Sequence, residues 1–246
     1  MRGSKFSCTF TLSGRMKSNP PSLLTMKKSG STLTYYTLDE QISLIAFAKD
    51  LLQRAGSGPI TAFRAGSFAA NRNTFEALRR NGILIDSSLN RCYAISGPGI
   101  SRAGQVDAPF VFNGVSTYPV TVFKDGFGKD RPAHVAACSV GEMKEAMASA
   151  KAAGLSDFTI VSHNFEMLKP GTAVPSWVVV RRFEQLCAFL SEHRTQYPVT
   201  GYTQRVEGTA SDTAGSTAAN PAAAVPAASL VSTTRRHLEQ LISRVA

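Results

Sequence analysis

The chain is poor in the residues that most often declare a function. Its four cysteines (Cys8, Cys92, Cys138, Cys187) stand far apart, with no Cys-x-x-Cys pair. That spacing gives no basis for a disulfide frame or a zinc knot, so buried or half-buried thiols are the expectation. Four histidines occur, none in a His-x-x-x-His or His-x-His pair, so a zinc site within this chain is not expected. No apolar run reaches the length of a membrane span, and the Ala/Val stretch near 218–231 is broken by Pro221 and Pro226. Asp and Glu number 17 against 27 Lys and Arg, for a net charge of +10. The Arg pairs at 79–80, 181–182 and 235–236 lack interleaved aromatics, which argues against a nucleic-acid surface. A solvated basic surface is expected instead. Met1-Arg2-Gly3-Ser4-Lys5 is basic, but no continuous apolar region follows, so no signal peptide is read and a cytoplasmic location is the default expectation. The most pointed absence is that residues 1–36 contain no Asp, no Glu and no His.

What is present suits a globular α/β chain. Its 246 residues are 43% hydrophobic, enough for one sizeable core. Residues 1–36 read as an irregular segment, with one short strand suggested by the alternation of Phe6, Phe10 and Leu12. Thr37 and Glu40 form a capping box for a helix that carries Ile42, Ile45 and Leu52 and stops at Gly56 to Pro59. A central strand over 60–63 follows, then a helix from about Arg72 to Arg80 that ends at Asn81-Gly82. Ile83-Leu84-Ile85 reads as a strand buried on both faces. Residues 90–116 look irregular. Val120 to Phe123 reads as a strand before an Asp125-Gly126 turn. A helix over 139–153, a buried strand over 157–162, a helix over 175–192 and a short strand over 197–202 complete the α/β domain, residues 37–206. Helices between strands imply a mostly parallel sheet, open or closed as a barrel. Residues 207–231 read as a disordered linker. Residues 232–246 form a short tail, amphipathic as a helix and marginal by itself.

Two polar side chains fall at the carboxyl ends of apolar strands, Arg64 and His163. In one parallel sheet both open onto the same face, where α/β proteins build their sites. Arg64, beside a Gly that admits close backbone approach, reads equally as a clamp on an anion or carboxylate and as a solvated arginine. His163 reads as a general acid or base. The other histidines are weaker: His134 lies in a Pro/Ala loop, His193 in the last turn of a helix, and His237 in the tail.

Phe63-Arg64-Ala65-Gly66-Ser67-Phe68 with Asn71, then Leu78, Gly82 and Asp86-Ser87-Ser88, resembles the arginine motif of the polysaccharide deacetylase (NodB-homology) superfamily. Ser162-His163-Asn164-Phe165-Glu166-Met167 is similar to that family's late histidine motif. The resemblance covers roughly residues 37–203. It implies an irregular (β/α) barrel with fewer than eight strands, here missing its first ones. It implies hydrolysis of N-acetyl groups, carbon–nitrogen bonds outside peptides, on a polysaccharide, assisted by a divalent metal such as zinc. By the same resemblance His163 is the general acid, Arg64 orients the catalytic aspartate, and Phe165 and Phe68 contact substrate. The family's early aspartate pair and its histidine metal motif have no counterpart in residues 1–36. The chain is therefore expected to be N-terminally incomplete, to hold no metal and to be inactive alone. A non-catalytic relative that binds carbohydrate or protein is the alternative. The partners implied are a carbohydrate polymer and, through an open barrel edge, a second copy of the chain.

Overall fold

A computed structural model describes residues 5–10, 32–93, 100, 108–202 and 225–245. It is a mixed α/β structure with five α-helices and three small sheets among the described residues, and none of the sheets closes into a barrel. The chain divides into two compact units, one made of Met1–Phe10 with Val120–Ala246, the other of Thr11–Pro119.

In the unit spanning 11–119, α1 (Leu38–Arg54) begins at the expected box: the Thr37 N–H donates to Glu40 at 2.8 Å, and the Glu40 N–H donates to the Thr37 hydroxyl at 3.4 Å. A second box, Asn71 with Thr74, starts α2 (Arg72–Arg80). Gly82 closes α2 at φ +69°, a left-handed position that suits glycine. The strands β2 (Ala62–Phe63), β3 (Ile85–Asp86) and β5 (Val115–Thr117) run parallel, and β4 (Phe110–Phe112) adds antiparallel to β5. The order is β2-β3-β5-β4, so β2 lies at an edge and is not the central strand the sequence suggests. The β4–β5 hairpin corrects the irregular reading of 90–116. Its turn is Asn113-Gly114, with φ +51° and +77°, the pairing that two-residue hairpins favour. Leu84 is another correction. Ile83 and Ile85 are buried but Leu84 is 49% exposed, so this stretch has one covered face. Phe75 and Leu78 of α2 are wholly buried, and Phe75 meets Phe112 edge-on at 5.3 Å.

In the other unit, the strand hinted at near the N-terminus becomes a scaffold. β1 (Lys5–Phe10) lies between β8 (Asp157–Ser162) and β9 (Val199–Thr200), parallel to both. Beyond β8 the chain at 133–135 also pairs in parallel: Val161 N–H donates to the Ala133 carbonyl at 2.8 Å, and Val135 N–H to the Val161 carbonyl at 3.0 Å. A hairpin of β6 (Val122–Lys124) and β7 (Asp130–Pro132) leads into this segment. Helices α3 (Val140–Ala152) and α4 (Trp177–Glu192) cover the sheet with Met143, Ala146, Met147 and Leu186.

The tail helix α5 (Leu230–Val245) docks on this unit through polar contacts, which supply what an isolated short helix lacks. Arg236, 1% exposed, donates to Glu142 at 3.0 Å and to Asp125 at 3.2 Å. Arg182, also buried, reaches Glu239 at 2.9 Å. The basic surface expected from composition is therefore partly inside the protein. Gly126 is required by the same docking, because a β-carbon there collides with the Leu230 backbone. Most of the linker expected over 207–231 lies outside the described residues.

Arg236→Ala removes the cation paired with the buried Glu142, while Asp125 keeps Arg131 at 3.0 Å. It is expected to cost about 3–5 kcal/mol, read as a lower urea midpoint with the slope unchanged. A loss below 1 kcal/mol would show that α5 is held by something else.

Candidate functional site

Arg64 and Phe68 belong to the unit spanning 11–119, and His163 and Phe165 to the other. β2 and β8 lie in different sheets, so Arg64 and His163 do not share one sheet edge as the sequence suggests.

Around Arg64 the structure joins the two halves of the sequence motif. Arg64, 8% exposed, donates from its guanidinium to the Ser87 carbonyl at 3.0 Å and to the Ser87 hydroxyl at 2.8 Å. The Ala65 N–H donates to the Ser88 hydroxyl at 2.8 Å, and that hydroxyl donates to Asp86 at 2.5 Å. The parallel pairing Ala62 with Ile85 and Phe63 with Asp86 sets this register. Arg64 is thus no solvated arginine, and its charge favours ionisation of the buried Asp86. Burial pushes the Asp86 carboxyl up to about 6, while the Ser88 hydrogen bonds and the Arg64 charge pull it down. Gly66 does not play the part expected of it: a β-carbon there meets nothing within 4 Å. The left-handed residues are Ser67 and Phe68, at φ +55° and +57°. That uncommon backbone turns Phe68 toward Tyr93, with ring centroids 5.0 Å apart.

The second cluster sits at the carboxyl end of β8. His163 is the residue after Ser162, and a 3-10 turn over Asn164–Met167 brings Glu166 back to it. His163 Nδ1 lies 3.2 Å from Glu166 Oε2. His134 pairs in parallel with Val161, so neighbouring strands place it on the same side as His163. Its Nε2 lies 2.6 Å from the same Glu166 oxygen. The two imidazole centroids are 5.5 Å apart at 82°, and Phe165, 55% exposed, stands 5.0 Å from the His163 ring. Burial opposes ionisation of Glu166, but the His134 hydrogen bond and the two imidazoles outweigh it and hold the carboxyl below its usual range.

Sequence reasoning missed His134 and gave Glu166 no role. The spacing of the two histidines carries no motif, and only strand register brings them together. Cys138 and Cys187 offer little nucleophilic chemistry: Cys138 is buried with its thiol pushed up to about 12 by burial, and the Cys187 thiol is also raised by burial. Cys92 and Cys187 are exposed, which departs from the buried thiols expected. Among the described residues no helix is long and apolar enough to cross a membrane. Comparison with known protein families, with curated proteins and with solved structures finds no match.

The Asp86 carboxyl makes a signed prediction. Its folded pKa is raised from 3.8 to about 6, so the folded state holds the proton more tightly than the unfolded chain. The stability it contributes is complete below about pH 4 and is lost as pH rises through about 6. Urea denaturation across that window should show a loss of up to about 3 kcal/mol that Asp86→Asn removes. Parallel profiles for the two chains would contradict this.

Proposed function

We propose that this chain is a hydrolase-type protein of the polysaccharide deacetylase kind, directed at N-acetyl groups on a carbohydrate polymer. The observation that carries the reading is His163, at the carboxyl end of a buried parallel strand, with a carboxylate on its Nδ1 and an exposed aromatic ring beside it. In this reading Glu166 orients the imidazole and balances its charge when protonated. Nε2 then delivers a proton to the departing amine nitrogen. Phe165, beside that imidazole, contacts sugar. The fold that goes with the reading is an irregular (β/α) barrel. The parallel pairing of β1 with β8 and β9, and of β3 with β2 and β5, supports it. Self-association through a strand edge belongs to the same reading, and light scattering reports it.

The family's metal rests on early aspartate and histidine motifs, and residues 1–36 contain none of those residues. That observation favours a second reading, a non-catalytic relative that binds carbohydrate. Calorimetry with N-acetylglucosamine oligomers tests both. Binding is expected, weakened about tenfold by Phe165→Ala and lost for the fully deacetylated oligomer. Acetate release that His163→Ala abolishes selects the hydrolase, and binding without release selects the second reading. No binding, or equal affinity for both oligomers, would overturn both.

A further inference from the structure

We propose that His134, His163 and Glu166 form a binding site for a divalent transition-metal ion of the zinc class. Each residue offers one ligand atom, and the three atoms lie within 4.8 Å of one another. Two nitrogens, His134 Nε2 and His163 Nδ1, converge on one oxygen, Glu166 Oε2, at 2.6 and 3.2 Å. Ligand atoms around a tetrahedral zinc stand about 3.3 Å apart, given metal–ligand distances of about 2.0–2.1 Å. The His163–Glu166 pair already has that spacing, and the His134–Glu166 pair needs to open by about 0.7 Å. That small movement falls to Glu166, which sits in a short turn. His134 is held by the ladder beside Val161, and His163 follows directly on β8. All three side chains are largely buried, with 15%, 16% and 23% exposure, so the donors are oriented by packing yet open to solvent on one side.

The donor chemistry narrows the ion. Two imidazoles and one carboxylate suit zinc, cobalt or nickel, while magnesium and calcium want oxygen donors. Three protein ligands leave a fourth position for water or substrate. This donor set differs from the early motif that the family resemblance implies, because it uses the late histidine as a ligand. The inference needs only these three side chains and does not rest on the deacetylase reading. The proton-donor role given to His163 above belongs to the cation-free chain.

The test is zinc alone, without carbohydrate. The full chain, freed of metal by a chelator, is titrated with zinc by calorimetry, and its cobalt form is followed by visible absorption. One ion per chain is expected, with a cobalt spectrum free of thiolate charge transfer, since no cysteine contributes. His134→Ala and Glu166→Gln should each weaken binding by more than the roughly 10–100-fold typical of an outer-shell partner. Circular dichroism melts confirm that each variant is folded, and Glu166→Gln keeps the side chain's size. Binding unchanged in both folded variants, a thiolate band from Cys92 or Cys187, or no binding at all would overturn the proposal. Failure of zinc binding leaves the carbohydrate measurements untouched, so the two readings fall separately.

Discussion

The carboxyl end of β8 depends on hydrogen bonding along both edges of that strand. β1 pairs with it from Lys5 opposite Asp157 to Phe10 opposite Ser162, and the chain at 133–135 pairs with it at Val161. A strand fixed on both sides cannot slip, because a slip of one residue turns every side chain to the other face. This is what gives His163 a defined direction and sets His134 beside it. Without the 133–135 pairing, His134 would sit in a loop with no reason to face anything.

The polar interior around this frame is built by the same economy of partners. Arg236 is shared between Glu142 and Asp125, Arg182 reaches Glu239, and Arg64 is held by Ser87 near Asp86. Each buried guanidinium carries its donors to oxygens of its own unit, which offsets the cost of removing charge from water. Three arginines of a basic chain are thereby internal, and their charge does not advertise an external partner.

Much of the local structure is legible in the sequence. The Thr37–Glu40 box, the Gly82 stop and the apolar run of β8 mark their elements by chemistry that acts within a few residues. Arg64 and the Asp86-Ser87-Ser88 stretch were also legible as one motif, and the β2–β3 register shows why. What the sequence hides depends on partners far along the chain. The short strand near the N-terminus is suggested by alternation, but its place between β8 and β9 is not. Leu84 looks buried because its neighbours are apolar, yet its side of the strand is left open. Gly66 looks like a necessary glycine, while the left-handed backbone falls on Ser67 and Phe68. Gln41 is another case: wholly buried on α1, it accepts from the Thr74 hydroxyl at 2.8 Å, a pairing no local pattern announces. The site follows the same division. His163 is visible at a strand end, and His134 is visible only once the sheet is assembled.

The central claim is that His134, His163 and Glu166 act as one coupled cluster. Long-range proton–nitrogen NMR of the imidazole rings tests it most directly, comparing the wild-type chain with Glu166→Gln. The account predicts that the ring nitrogens of His134 and His163 both shift when the carboxylate is removed, while those of His193 and His237 stay in place. Unchanged His134 and His163 signals, or a shift in only one of them, would contradict it.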